Sequence, residues 1–165
     1  MKRILSCILI AILLLSGCGT SAERIREPVT FYYMRANPET LRHGEDLFVG
    51  EVREAAGHRQ DLSYLMALYL IGPATEGLRT PIPKGTKISE IIIEEDTVLL
   101  TLSDTEKTMT DIEYALACTC LSQTCLELTG ANSVTITSGE RSITIGRDTL
   151  VMRDRTPTNE TEEIQ

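Results

Sequence analysis

The stretch TDIEYALACTCLSQTCLELTG, residues 110–130, carries the clearest structural signal in the chain. Its first four residues fit a capping box, in which the side chains of Thr110 and Glu113 each accept a hydrogen bond from the other's free backbone amide. Apolar and small residues then recur at intervals of four and three, and they form one face: Tyr114, Cys118, Leu121, Cys125 and Leu128. Gly130 supplies the left-handed residue that commonly ends a helix. The stretch therefore predicts a long helix with one face in the core.

A shorter helix is predicted in front of a loop that begins at Gly72. Asp61 fits an N-cap, whose side-chain oxygen accepts a hydrogen bond from a free amide of the first turn. Apolar residues follow at helical spacing and form one stripe: Leu62, Leu65, Met66 and Tyr69. Gly72 and Pro73 end the helix, because glycine adopts the left-handed C-terminal conformation and proline cannot continue a helix.

Runs of β-branched, aromatic and leucine residues predict the strands. They lie at residues 29–33, 47–52, 87–95, 97–102, 134–137 and 141–145. A polar turn, Glu94-Glu95-Asp96, joins the third and fourth of them as a hairpin. Two helices on one face of a small mixed sheet would bury both apolar stripes, so the predicted class is α+β with the order β-β-α-β-β-α-β.

The N-terminus has the pattern of an exported lipoprotein. Lys2 and Arg3 precede an apolar run at residues 4–15, which is too short to span about 30 Å of hydrocarbon and is typical of a signal peptide. The run ends in Leu-Ser-Gly-Cys at residues 15–18, which resembles the bacterial lipobox. The resemblance implies that a diacylglyceryl group is attached to Cys18 and that the chain is cut before it. The alternative is an ordinary signal peptide in which Cys18 has no such role.

These patterns divide the chain into four segments. We expect a lipoprotein signal peptide at residues 1–17, a lipid anchor and short tether at 18–28, a folded domain at 29–154 and a disordered acidic tail at 155–165. Two acyl chains hold a protein firmly to a bilayer. The domain would then lie at the outer face of the cytoplasmic membrane.

The charge and the aromatic content argue against a nucleic-acid partner. The formal net charge is -8, the chain has no tryptophan, and aromatic residues make up 4% of it. Proteins that bind nucleic acid by charge carry a basic patch or stripe, and no such stripe is present in the sequence. The same acidity excludes membrane binding through basic residues, so contact with the bilayer is expected through the anchor alone.

The loop GPATEGLR at residues 72–79 has the glycine spacing of a phosphate-binding loop. Its two glycines have the spacing of G-x-x-x-x-G-K-[ST], but Gly77 is followed by Leu78 and Arg79 instead of lysine and a hydroxyl residue. The order is also reversed, because a phosphate loop opens a helix whereas Gly72 closes one. The composition is better explained by the backbone conformation of an extended turn. Two prolines and a glycine follow further on, and such residues are typical of turns.

The remaining reactive residues do not form a recognisable catalytic or metal site. On a helix Cys118 and Cys120 point about 200° apart, and Cys118 and Cys125 lie about 10 Å apart, too far for a disulfide. We expect Cys118 and Cys125 in the core and Cys120 partly exposed. His43 and His58 lack a partner motif, and the acids at residues 94–96 sit at a hairpin tip. The sequence therefore predicts no catalytic residue, no metal and no cofactor.

The run from Leu65 to Asp154 resembles the GerMN domain of lipoproteins that act in sporulation and spore germination, and with residues 29–32 as the opening strand the resemblance covers most of the mature chain. The matching pieces are Leu-Ile-Gly-Pro at 70–73, Gly-Leu at 77–78, Ile-Pro-Lys-Gly-Thr-Lys at 82–87, Leu-Thr-Leu-Ser at 100–103 and Val-Thr-Ile at 134–136. The resemblance implies a non-enzymatic envelope domain, similar to ring-building motifs whose copies stack side by side. Three departures stand out: the hairpin turn lacks the family's usual glycine, the second helix lacks a Thr-Leu-Thr-like end, and only one copy is present.

These features lead to a principal hypothesis and to two alternatives. The principal one is a lipid-anchored, non-catalytic envelope protein that contacts other envelope proteins or copies of itself, in sporulation or germination. The first alternative is a lipoprotein that binds a solute or a cell-wall fragment, for which a concave pocket is needed. A hydrolase is the second alternative, but it requires a nucleophile or a metal site that the sequence does not show.

Overall fold

The computed structural model describes residues 27–103 and 106–150. Its strands are β1 (Pro28–Arg35), β2 (Phe48–Glu54), β3 (Leu78–Arg79), β4 (Ile88–Glu94), β5 (Thr97–Leu102), β6 (Ser133–Ser138) and β7 (Arg141–Gly146). Its helices are α1 (Leu62–Leu70), α2 (Asp111–Thr129) and α3 (Arg147–Leu150), and short 3-10 turns occur at Pro38–Thr40 and Glu106–Thr108. Helices and antiparallel strand pairs in one structure confirm the predicted α+β class. No helix within the described ranges is long and apolar enough to cross a membrane.

The strands form two sheets, where we had expected one. The first is antiparallel with the order β2-β1-β3, and the second is mixed with the order β4-β5-β6-β7, since only β5 and β6 run parallel. The two sheets stay separate because most of the free side of β1 is occupied by α2 and not by another long strand. There the backbone N–H of Tyr32 donates to Oγ1 of Thr124, 2.9 Å away.

Helix α2 lies between the two sheets and packs against β1 on one side and against β6 and β7 on the other. Cys118 and Cys125 are buried, as predicted from the apolar stripe. Cys120 is also fully buried, so the expectation that it is partly exposed is wrong. The prediction assumed that only one face of the helix is covered, whereas in the structure the helix is covered by a sheet on each side.

The predicted helix ends are confirmed. In the capping box, Oγ1 of Thr110 accepts from the Glu113 amide at 3.3 Å, and the Glu113 carboxylate accepts from the Thr110 amide at 2.8 Å. Gly130 ends α2 with φ of 74°. Asp61 caps α1 by accepting a hydrogen bond from the Tyr64 amide. These local signals depend on near neighbours in the chain, which is why sequence reasoning locates them.

The predicted hairpin is formed by β4 and β5 around a turn at Glu95 and Asp96. Glu95 adopts φ of 50°, a conformation that glycine takes without steric cost. This is the turn in which the GerMN resemblance led us to expect glycine. The turn thus keeps a left-handed backbone conformation although the residue is glutamate and not glycine. The carbonyl of Asp96 accepts from the amides of Asn132 and Ser133, which ties the turn to the start of β6.

Candidate functional site

The loop after α1 binds a carboxylate of the chain itself. The Glu51 carboxylate of β2 accepts hydrogen bonds from the backbone amides of Ala74 at 3.0 Å and Thr75 at 2.7 Å. Adjacent backbone amides of this kind are what a phosphate loop offers to its ligand. Here they are already used by Glu51, which is 7% exposed. The loop at residues 72–79 is therefore a structural connection, in agreement with the sequence interpretation.

The environment of Glu51 favours the charged form of its carboxyl group. Burial acts to raise the pKa, but hydrogen bonds from the Thr75 side chain and amide, the Ala74 amide and Arg53 outweigh burial and hold the pKa at about 2. A carboxylate that accepts several hydrogen bonds titrates well below its ordinary range. Glu51 therefore stays ionised at neutral pH and is not available as a general acid.

Arg53 joins the same loop to the aromatic core. Its Nε donates to Oε1 of Glu51, and its Nη2 donates to the carbonyl of Gly72, each at 2.5 Å. The guanidinium also lies 5.6 Å from the ring centroid of Phe31 and 5.7 Å from that of Tyr33, a cation–π arrangement. The role of Arg53 is to hold the end of α1 against the first sheet.

Sequence reasoning missed the pair of Glu51 and Arg53, although a signal for it exists. The two residues are spaced by two in β2, so they point to the same face of the strand. They lie across from Phe31 and Val29, which are buried residues of β1. Two charged residues on the core face of a strand need partners in the fold, and the polar amides of a nearby loop supply them.

Two tyrosines and a phenylalanine form the aromatic core beneath this pair. The rings of Tyr33 and Tyr69 stack with centroids 4.9 Å apart, and Phe31 meets both of them edge-on. The Tyr33 hydroxyl donates to the backbone carbonyl of Tyr69 at 3.0 Å. Burial raises the pKa of both phenols well above the ordinary value. Neither phenol can therefore act as a proton acceptor near neutral pH.

The three thiols of α2 are unreactive near neutral pH. Burial raises the pKa of Cys118 to about 11 and the pKa values of Cys120 and Cys125 to about 12. The nucleophile in cysteine chemistry is the thiolate, which is scarce at these pKa values. Cys125 contacts another sulfur, because its Sγ lies 3.7 Å from Sδ of Met66. All three remain free thiols in the described structure.

The histidines and the acidic turn at residues 94–96 lie on the surface. His43 and His58 are both exposed, and the ring of His58 stacks on Tyr64 with centroids 4.1 Å apart. Asp96 accepts a hydrogen bond from Nδ2 of Asn132 at 3.1 Å. Within residues 27–103 and 106–150, no three His, Cys, Asp or Glu residues are grouped so that they could hold a metal ion.

Two neighbouring exposed apolar residues lie on the edge strand β4. Ile92 is 38% exposed and Ile93 is 57% exposed. A groove of about 420 Å³ runs between β4 and α1, and its lining includes Ala67, Leu70 and Ile88. We call residues 91–93 of β4, with the open side of that strand, the β4 edge. It can offer both backbone hydrogen bonds and apolar contacts to another chain.

The predicted lipid-attachment residue, Cys18, lies outside the described residues, as do the predicted signal peptide, most of the tether and the tail. Its role therefore stays a prediction. The described domain begins with β1 at Pro28, one residue before the predicted start of the folded segment.

Residues 30–144 match the family model of Germane, described as sporulation and spore germination. The chain belongs to the Germane family. The resemblance seen in the sequence is thereby confirmed, and Germane membership indicates a role in sporulation or germination.

Solved structures similar to this Germane chain include the tandem GerMN domains of the sporulation protein GerM from Bacillus subtilis. That structure superposes with a TM-score of 0.56 at 18% identity, covering 76% of this chain and 43% of that one. The first GerMN domain of the same protein gives a TM-score of 0.48 at 13% identity, covering 71% and 86%. A Clostridium perfringens protein described as a candidate lipoprotein gives 0.46 at 16%, covering 74% and 89%. The chain thus spans less than half of the tandem structure, and at these identities the likeness concerns the fold.

A sequence search of curated proteins yields no match to this Germane chain.

Proposed function

We propose that this protein is a lipid-anchored envelope protein that acts through protein–protein contacts in sporulation or spore germination. The observation that carries the proposal is the Germane family match over residues 30–144, which links the fold to these processes. The lipobox-like residues 15–18 and the apolar run before them support export and lipid attachment at Cys18.

The chemistry of the described residues supports a non-catalytic role. The buried groups with shifted pKa values are held in unreactive forms: the thiols and phenols stay protonated, and the Glu51 carboxylate is occupied by backbone amides. Active sites usually combine a shifted pKa with an open cleft and a substrate-sized space. Here the shifted groups lie in the core or under a loop.

The tether sets where the domain would act. Cys18 and Pro28 are joined by a short polar segment, which reaches at most about 35 Å when fully extended. A domain on such a tether stays close to the bilayer surface, and its partners are then other proteins at the same surface.

Lipid attachment is tested by labelling cells of the native host with radioactive palmitate. The wild-type chain is expected to take up label and to fractionate with membranes, whereas Cys18→Ala should take up no label. Cys7→Ala is the matched control, because it replaces a cysteine inside the same apolar run and should leave labelling unchanged. Equal labelling of the Cys18→Ala variant would refute the anchor.

The biological role is tested by deleting the gene in the native host and counting heat-resistant spores and their germination rate. We expect a loss in one of these measures that the wild type restores and Cys18→Ala does not. Normal spore counts and normal germination in the deletion strain would contradict the proposed role.

A lipoprotein that binds a solute or a wall fragment is the second candidate, and the groove beside β4 is the observation that favours it. Its volume of about 420 Å³ lies within the range of small-molecule sites, and Ser63, Thr86 and Lys87 place polar groups along it. Thermal unfolding of the wild type in the presence of muropeptides and sugars tests this function. A rise in the unfolding temperature that is lost in Lys87→Ala would favour it over the first candidate.

A further inference from the structure

Strand β4 carries apolar side chains on both faces of the second sheet. Successive residues of a strand point to opposite faces, so three consecutive isoleucines at 91–93 cannot all face the core. The strand at the opposite edge, β7, alternates instead: its Ile143 and Ile145 pack on the core, and the residues between and before them are exposed. Of the two edge strands of this sheet, only β4 exposes isoleucines.

The backbone of β4 is open along the same stretch. Among the described residues, no strand pairs with its outer side. The pairing of β4 with β5 is regular from Glu90 to Glu94, and its one irregularity lies before Glu90. An open edge of this kind offers unpaired N–H and C=O groups, to which an extended segment of another chain can hydrogen-bond as an added strand.

Helix α1 forms a wall beside this edge. Ser63, Ala67 and Leu70 follow one another at intervals of four and three, and all three line the groove of about 420 Å³ between α1 and β4. Two of these side chains are small, which leaves space beside the strand. Ile91 and Ile93 line a neighbouring cavity of about 510 Å³ on the same face of the sheet. Alternate side chains of an added strand would therefore enter an apolar groove.

The opposite face of the β4 edge is acidic at both ends. Glu90 and Glu94 pair with half-buried threonines of β5, and Ile92 lies between them, so these three residues point away from the core. All three are exposed. Residues 90–94 read Glu-Ile-Ile-Ile-Glu, which is the same in both directions. A strand with basic residues four positions apart and apolar residues between them complements this pattern in parallel or antiparallel orientation.

No basic residue of the described chain neutralises these two glutamates. Neither Glu90 nor Glu94 takes part in a salt bridge within the described ranges. Lys87 lies before the irregularity and lines the groove on the α1 side. Arg59, near the far end of the strand, donates to a backbone carbonyl at the start of β1. The turn after β4 adds two further acids, so the edge attracts positive charge.

The same pattern disfavours a second copy of this chain. Antiparallel pairing that keeps the isoleucines of two copies in contact places Glu90 of each chain opposite Glu94 of the other. Like charges directly opposite each other destabilise a strand pair. The occupant that fits the edge is therefore a strand of another protein that is basic at both ends.

We propose that the β4 edge binds an extended segment of a partner protein as an added strand, and that this segment has two basic residues four positions apart with three apolar residues between them. The basic residues lie beside Glu90 and Glu94, and two of the apolar residues enter the groove beside α1. This inference rests on the proposed function, because it gives the chemistry of a protein contact through which the domain would act.

The test measures binding of short labelled peptides to the full chain in a nonionic detergent, by fluorescence anisotropy at low ionic strength, because salt screens exposed charges. The first peptide is Ser-Lys-Val-Ile-Val-Lys-Ser, blocked at both ends, and the second has glutamate in place of both lysines. The wild type is expected to bind the lysine peptide at least about tenfold more tightly than the glutamate peptide. Ser-Val-Lys-Ile-Lys-Val-Ser has the same composition but only one lysine beside a glutamate, and should bind at least about threefold more weakly than the first peptide.

Reversing the two charges of the edge should reverse the preference. The double variant Glu90→Lys with Glu94→Lys should bind the glutamate peptide about tenfold more tightly than the lysine peptide. Glu76→Lys with Glu140→Lys is the matched control, because both residues are exposed and lie outside β4. It makes the same change in net charge and should keep the wild-type preference. Thermal unfolding of both double variants should stay close to that of the wild type.

One further variant tests the apolar side of the contact. Ile93→Lys should weaken binding of the lysine peptide by at least about tenfold, and the fold should persist because Ile93 is 57% exposed. Failure of the wild type to bind the lysine peptide, or an unchanged preference in the double variant of Glu90 and Glu94, would overturn the proposal. Dimers of the wild type that exclude the peptide would assign the edge to a second copy and overturn it as well.

The outcome is separable from that of the proposed function. The predicted peptide preference, together with normal spores and germination in the deletion strain, would support the contact and refute the role. Absence of that preference, together with a spore defect that the wild type complements, would support the role and overturn the contact.

Discussion

The backbone N–H of Tyr32 donates to Oγ1 of Thr124 across 2.9 Å, so a helix side chain serves a backbone group on the free side of β1. Thr124 is completely buried, and no water can replace it easily. In most sheets such an amide would pair with a neighbouring strand. Here the bond joins the first sheet to α2 and fixes the helix along that side of β1.

Replacing Thr124 by valine should therefore destabilise the domain. Valine has nearly the same shape but no acceptor, so the Tyr32 amide is left without a partner, at a cost of about 1–3 kcal/mol. The measurement is urea unfolding followed by circular dichroism. Thr119→Val, on the same helix, removes a hydroxyl that donates only to the Ala115 carbonyl one turn earlier, and should change stability by less than about 0.5 kcal/mol. Equal losses in the two variants would show that the bond to Tyr32 has no special role.

The Glu51 carboxylate should make stability depend on pH in the acid range. Its pKa in the folded protein is about 2, below the ordinary value of 4.5, so its contribution is complete above pH 4.5 and is lost as the pH falls towards 2. Glu51→Gln removes that contribution and should lower the free energy of unfolding by about 3 kcal/mol at pH 7. The difference between the variant and the wild type should shrink to nearly zero at pH 2.

Glu76→Gln is the matched control for that experiment, because Glu76 lies in the same loop and is exposed. Its unfolding curve should follow the wild type at every pH. A Glu51→Gln variant whose deficit stayed constant from pH 7 to pH 2 would show that the lost stability comes from packing and not from the charge.

The left-handed end of α2 predicts a second kind of substitution effect. Gly130 has φ of 74°, and a Cβ atom added there would meet no heavy atom within 4 Å. Gly130→Ala should therefore lose about 1 kcal/mol through backbone conformation alone. Gly130→Asn should lose clearly less, since asparagine tolerates this conformation better than alanine does. Thermal unfolding of the two variants makes the comparison, and equal losses would contradict a conformational cause.

The buried thiols should resist alkylation in the folded protein. With pKa values of about 11 and 12, Cys118 and Cys120 carry almost no thiolate at pH 8. Iodoacetamide should therefore label them at least about 100-fold more slowly than the same residues in urea. Tandem mass spectrometry of the peptide that contains α2 assigns the label to each cysteine. Fast labelling of Cys120 alone would mean that the first sheet does not cover that face of α2.

Local signals predicted much of this fold, and long-range contacts account for what they missed. The capping box, the glycine at the end of α2 and the hairpin turn are set by residues close in the chain, and each was located from the sequence. The burial of Cys120 depends on β1, more than eighty positions away, and no periodicity within α2 reports a second covering layer. The partners of Glu51 likewise come from a loop beyond the next helix, although a charge on the core face of β2 could have suggested them.

The position of α2 between the sheets has a consequence for the order of assembly. During synthesis, the strands of the first sheet leave the ribosome before α2, yet α2 supplies both the cover over their apolar face and the acceptor for the Tyr32 amide. The early segment on its own would expose Phe31, Tyr33 and Tyr69 to water and to chaperones. A chain truncated ahead of α2 would lack that cover and would be open to proteases. We therefore expect the first sheet and α2 to fold together as one unit.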